Sequence, residues 1–78
     1  MKPQKNFLKP LPYREVKRRL EAAGFEEVSQ KGSHVKFVKS TEEGTRTAIA
    51  PRHREITIGT LGSILRQAGI SIEEFEVL

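Results

Sequence analysis

Three strand-length runs follow one another between residues 25 and 50 with only short polar breaks, and that spacing restricts the fold more than any other feature of the chain. The runs are 25–30, 34–39 and 46–50; Lys31-Gly32-Ser33 makes a tight turn after the first, and the polar stretch 40–45 follows the second. Parallel strands need a crossover of about a dozen residues or more, so these breaks leave an antiparallel meander. Pro51 closes the third run, because it cannot donate to a ladder. Such a sheet often keeps one face wet. In the second run Val35 and Phe37 point one way, and His34 and Lys36 the other. With Val35 and Phe37 turned to a core, His34 and Lys36 stand side by side on the exposed face. Val28 is the core candidate of the first run.

The flanks have a helical period. Tyr13, Val16, Leu20 and Ala23 fall on one side at i, i+3, i+7 and i+10, which predicts a helix over 13–23. Pro12 is tolerated at its start, and Gly24 sits where a left-handed stop is wanted. Arg14, Lys17 and Arg18 lie on its polar side. Leu61, Ile64, Leu65 and Ala68 mark a second helix, with Thr57 as N-cap and Gly69 as stop. Gly59 and Gly62 weaken it by about 1 kcal/mol each where they fall in its interior. Ser71 with Glu74 reads as a capping box and Ile70 with Phe75 as a hydrophobic staple, predicting a short helix over 72–77. The order is α-β-β-β-α plus a short C-terminal helix: an α+β fold with a three-stranded antiparallel sheet covered on one face. Residues 1–10, with Lys2, Lys5, Lys9, Pro3 and Pro10, read as a flexible basic arm, and 11–78 as one domain.

A chain of 78 residues buries about 60% of its unfolded surface and carries one modest core. It has no cysteine, hence neither a disulfide framework nor a thiolate metal site. Its two histidines, nineteen positions apart, do not match zinc spacing. No apolar run approaches a membrane span, and the expected location is the cytoplasm. Fourteen Lys and Arg against ten Asp and Glu give a net charge of +4. Glu73, Glu74 and Glu76 fall in the last eight residues, so residues 1–70 carry fourteen bases against seven acids. That surplus attracts polyanions, of which nucleic acid is the commonest, although a basic surface also serves simply to keep a protein in solution.

RNA cleavage without a metal asks little of a protein. The ribose 2′-OH already stands beside the phosphorus it attacks. A catalyst must take its proton, stabilise added negative charge and protonate the leaving oxygen. Histidine, with an ordinary pKa near 6.5, transfers protons well at neutral pH, and a positioned Lys or Arg stabilises the charged transition state. His34 and Lys36 supply both groups at alternate positions of one strand. Other chemistries fit less well: Ser33 and His34, as neighbours in a strand, point apart and cannot form a nucleophile–base pair. The bland alternative is a solvated histidine beside a solvated lysine, and His53 is either a second proton-transfer group or an ordinary loop residue.

The chain resembles the HicA-type mRNA interferase toxins of prokaryotic toxin–antitoxin pairs. The resemblance rests on Tyr13-Arg14-Glu15-Val16 through Leu20-Glu21-Ala22-Ala23-Gly24-Phe25, on Gln30-Lys31-Gly32-Ser33-His34 and on Pro51-Arg52-His53. It continues in Ile56-Thr57-Ile58-Gly59-Thr60-Leu61, Ile64-Leu65-Arg66-Gln67-Ala68-Gly69-Ile70 and Glu73-Glu74-Phe75. It implies a double-stranded-RNA-binding-domain-like α-β-β-β-α fold and an endoribonuclease acting on mRNA. It also implies that His34 is the catalytic residue, and that a HicB-type antitoxin is the partner covering the active face. Two departures are Ile58, where the family commonly has Pro, and a longer N-terminal arm.

Three functions follow from this reading. In the first, the chain is a toxin that cleaves mRNA with His34 and no cofactor. Lys31 and Lys36 then lie near the scissile phosphate, Ser33 is a further RNA-binding candidate, Arg14, Lys17 and Arg18 are candidate contacts to the backbone, and His53 is a secondary candidate. In the second, it is a non-catalytic module gripping duplex RNA by shape. In the third, it is chiefly a protein-binding partner that presents a basic face to an acidic antitoxin.

Overall fold

The computed structural model describes residues 8–78. Its elements run α1 (Tyr13–Ala22), β1 (Glu26–Lys31), β2 (His34–Thr41), β3 (Gly44–Pro51), α2 (Ile58–Ala68) and α3 (Ile72–Glu76). The strands pair antiparallel in the order β1-β2-β3. This is the expected α+β fold, with α-β-β-β-α order and a short C-terminal helix.

Local chemistry sets the helix ends. Thr57 is extended and its hydroxyl accepts from the Thr60 N–H, opening α2; Gly69, at φ 72°, closes it. Gly69 N–H donates to Arg66 O and Ile70 N–H to Leu65 O, a Schellman stop that satisfies two orphan carbonyls. The end of α1 repeats the device with Gly24 and Phe25, which bond back to Glu21 O and Leu20 O. At α3 the capping box is complete: Ser71 Oγ accepts from Glu74 N–H and Glu74 Oε1 from Ser71 N–H.

The core lies between one face of the sheet and the helices. Val35, Phe37, Ala48 and Ala50 meet Val16, Leu20, Leu61 and Ile64, all with no exposed surface. Gln67 Oε1, on α2, accepts the Ile49 N–H at 2.8 Å, which caps a backbone donor of β3. Leu11 and Ile56 form an isolated antiparallel bridge, tying the segment before α1 to the segment before α2.

Three expectations change. Val28 is not in the core: it is 50% exposed. The pairing jumps from Glu27↔Phe37 to Ser29↔Lys36, so Val28 is the extra residue of a β-bulge and the alternation of β1 breaks there. The break after β2 is also shorter than its composition suggests. Thr41 pairs with Gly44, leaving a two-residue turn at Glu42-Glu43 in which Thr41 Oγ1 donates to Gly44 O and accepts from Glu43 N–H. Pro51 belongs to β3 as its last residue rather than lying beyond it. Of the basic arm, Lys2, Pro3 and Lys5 lie outside the described residues; Lys9 is exposed, whereas Leu8 packs against the core.

Candidate active site

Cross-strand register assembles the site. His34 opens β2 after the two-residue turn Gly32-Ser33, where Gly32 takes φ 60°. Directly across from His34 stand Lys31 on β1 and Pro51 on β3. Opposed residues in an antiparallel pair share a face and bring their Cβ atoms to about 4.5–5.5 Å. Two residues on, Lys36 lies between Ser29 and Ile49 on the same face. His34, Lys31 and Lys36 are all exposed, and this face is the one turned away from the helices. The expected pairing of His34 with Lys36 on an open sheet face is therefore present, and the register adds Lys31 as a cross-strand neighbour. Ser33 is exposed in the turn itself, and its carbonyl accepts the Arg52 N–H.

The α1 cations belong to the other layer and differ from one another. Lys17 Nζ donates to Glu27 Oε1 at 2.8 Å, and that hydrogen bond raises the lysine pKa. Arg18 binds both oxygens of Glu15, at 3.2 and 2.6 Å, and also Leu78 O; its pKa is raised by the carboxylate. Arg19 adds a 2.8 Å bond to the same carboxylate. Hydrogen bonds from Arg18 first, then Arg19, pull Glu15 from the usual 4.5 to about 2. Arg14 is exposed. Lys31, Ser33 and Lys36 thus gather with His34, while Lys17 and Arg18 have their charge compensated on a different surface.

His53 is exposed two residues beyond Pro51, the cross-strand partner of His34. Its neighbour Arg52 is the residue that sequence reading passed over. The Arg52 guanidinium donates to Gln30 Oε1 at 3.0 Å and lies 5.5 Å from the centroid of the Tyr13 ring. Arg52 stands in a charged loop and Gln30 near a strand end, and nothing in their local sequence marks them as partners. The Tyr13 hydroxyl is buried without a hydrogen-bond partner, and desolvation, ahead of the nearby Glu27 charge, raises its pKa.

Chemically, the face offers an imidazole among ammonium groups, in reach of solvent and of any flat polyanion. Among the described residues, no three or more His, Cys, Asp or Glu side chains cluster in a way that could hold a metal ion. No helix among them is long and apolar enough to cross a membrane. The family profile described as the HicA toxin of bacterial toxin-antitoxin matches residues 13–70, well over half of the chain.

The chain belongs to the HicA toxin family.

No curated protein matches it. The HicA match begins at the first residue of α1 and ends just past the Gly69 stop of α2. It spans the whole sheet, and with it His34, Lys31, Lys36, Gln30 and Arg52. A HicA toxin acts within a toxin–antitoxin pair, so this chain is the toxin side of such a system.

Proposed function

We propose that this HicA toxin is an endoribonuclease that cleaves mRNA without a metal ion or other cofactor, with His34 transferring the proton. The supporting observation is the place of His34, exposed on the open sheet face with Lys31 across from it and Lys36 two residues along. The imidazole takes the proton of a ribose 2′-OH as that oxygen attacks the adjacent phosphorus. A new P–O2′ bond forms, the P–O5′ bond breaks, and the leaving O5′ is protonated by His34 or by solvent. The products are a 2′,3′-cyclic phosphate and a 5′-hydroxyl. The ammonium groups of Lys31 and Lys36 offset the charge that builds on the phosphoryl oxygens, and Arg14 is a candidate contact to the RNA backbone. His53, in the loop after β3, is the nearest candidate for a second proton-transfer group. The toxin works in the cytoplasm, where a HicB-type antitoxin silences it by covering the open face.

A second reading is a module that binds duplex RNA without cutting it. It is favoured by the His34 ring having no hydrogen-bonding side chain among the described residues to fix its tautomer. Expression in bacterial cells without an antitoxin separates the two. The nuclease reading expects growth arrest and fragmented mRNA with the wild type, and neither with a folded His34→Ala variant. Equal growth and equally intact mRNA in both cultures, with wild-type protein accumulating folded, would remove it.

A further inference from the structure

Both carbonyls of the turn that delivers His34 are held, one by the Gln30 side chain and one by the Arg52 backbone, and the Arg52 guanidinium bonds Gln30. Gln30 Nε2 donates to Gly32 O at 2.9 Å, and the Arg52 backbone N–H donates to Ser33 O. Gln30 Oε1 in turn accepts from Arg52 Nη1 at 3.0 Å. With its oxygen committed to Arg52 and its amine to Gly32, the Gln30 amide has one sensible orientation. The Arg52 guanidinium rests over the Tyr13 ring, Cζ 5.5 Å from its centroid, and Tyr13 is buried at the start of α1. A line of contact therefore runs from the first turn of α1, through Arg52 and Gln30, to the residues immediately before His34.

Register puts this brace behind the site rather than in it. Gln30 pairs with Val35 and shares the core-facing side of the sheet, while Lys31 pairs with His34 on the open side. Arg52, just past the end of β3, is turned to the helix side, where its guanidinium lies over the Tyr13 ring. His34 is the first residue of β2, directly after the turn, so the turn's conformation bears on how it is presented, alongside its pairing with Lys31 and Pro51. Gly32, at φ 60° with nothing within 4 Å of where a Cβ would stand, gets no steric support of its own.

We propose that Arg52 is a positioning residue: acting through Gln30, it fixes the Gly32-Ser33 turn and so aims the His34 imidazole. This rests on the ribonuclease reading for its consequence in catalysis, although the brace itself is independent of it. Lysine is no substitute, because stacking on a ring while donating in a defined plane requires the guanidinium fork.

The test uses the full-length toxin as wild type, Arg52→Lys, Gln30→Ala and the double variant. Two measurements are made: steady-state cleavage of an RNA oligonucleotide, and the ¹H–¹⁵N spectrum of the His34 ring without RNA. A displaced catalytic group lowers kcat by about tenfold to a hundredfold. Each single change is expected to show that loss with KM unchanged, and the double variant no more than the larger single loss, since the residues act as one unit. The His34 ring signals should shift or broaden in all three variants. Gln30→Ala leaves the charge and the ring stack in place, so it carries the test if Arg52→Lys does not fold. Unchanged kcat and ring signals would overturn the proposal, and so would a loss confined to KM, which marks a phosphate contact. If the wild type cleaves no RNA, the ribonuclease reading fails, and the ring spectra alone decide whether the brace holds His34.

Discussion

Glu15 holds two arginines on α1, and those arginines hold the end of the chain. Arg18 reaches Leu78 O at 3.2 Å, and Arg19 reaches Phe75 O at 3.1 Å while lying over the Phe75 ring. A carboxyl whose folded-state pKa is lowered contributes stability that is fully present above its unfolded value and is lost as pH falls toward the folded one. For Glu15 that window runs from 4.5 down to about 2. Denaturant titrations across it should show wild type losing its advantage over Glu15→Gln, the two converging near the bottom. A constant difference throughout would show that the ion pair contributes nothing. Tyr13 gives the opposite kind of prediction. Its ring supports Arg52, but its buried hydroxyl has no partner, and an unmet buried polar group costs about 1–3 kcal/mol. Tyr13→Phe should therefore leave stability unchanged or raise it by about 1 kcal/mol, with cleavage intact. A clear loss in urea denaturation would reveal a bond that the hydroxyl makes. The Arg52 stack on Tyr13 was not legible in the sequence, since it joins residues far apart in the chain, whereas the Glu15 fork follows the i,i+3 and i,i+4 spacing to Arg18 and Arg19. The helix period also does not show that Lys17 reaches Glu27 on β1.

Helix ends were the most legible elements, because their signals lie within four residues of one another. Thr57, Gly69, and Ser71 with Glu74 do what their types suggest. The two glycines that bear on α2 should respond differently to alanine. Gly69 sits at φ 72°, where a Cβ costs roughly 1–2 kcal/mol, and a Cβ there would also meet the Arg46 guanidinium at 2.6 Å. Gly59 is helical with open space around it, so Gly59→Ala should stabilise by up to about 1 kcal/mol. Thermal melts of the two variants, moving in opposite directions from wild type, check both. What composition concealed in the sheet was non-local. Val28 looks like a core residue until a bulge opposite Lys36 turns it outward, and only the partner strand decides that a bulge is there. The bridge between Leu11 and Ile56 likewise joins segments 45 positions apart, and neither carries a strand pattern.

On the scale of the molecule, the sheet separates two chemistries. The helix side carries the core and the paired Lys17 and Arg18, with Arg14 exposed beside them, and the open side carries His34, Lys31 and Lys36. Polyanion binding should follow that division. Each phosphate neutralised on single-stranded RNA contributes about 0.7 to the slope of log affinity against log salt. Lys36→Ala should reduce the slope by about that much, whereas Lys17→Ala should leave it nearly unchanged, because its ammonium is paired with Glu27. Equal effects from both would mean that Lys17, despite its bond to Glu27, contacts RNA as directly as Lys36. Much of this arrangement was legible beforehand, since alternation in β2 alone puts His34 and Lys36 on the face opposite Val35 and Phe37. The brace behind the turn was not, since it needs three elements in place at once. The central claim is that one imidazole on the open face cuts RNA with no metal. Its most direct measurement is incubation of an RNA oligonucleotide and its DNA counterpart with wild type and His34→Ala in EDTA, with the product ends identified by mass. Wild type should leave 2′,3′-cyclic phosphate ends on RNA and leave DNA whole, and His34→Ala should be slower by about 10²–10⁴. RNA left uncut by folded wild type, or cut equally fast by the variant, would contradict it.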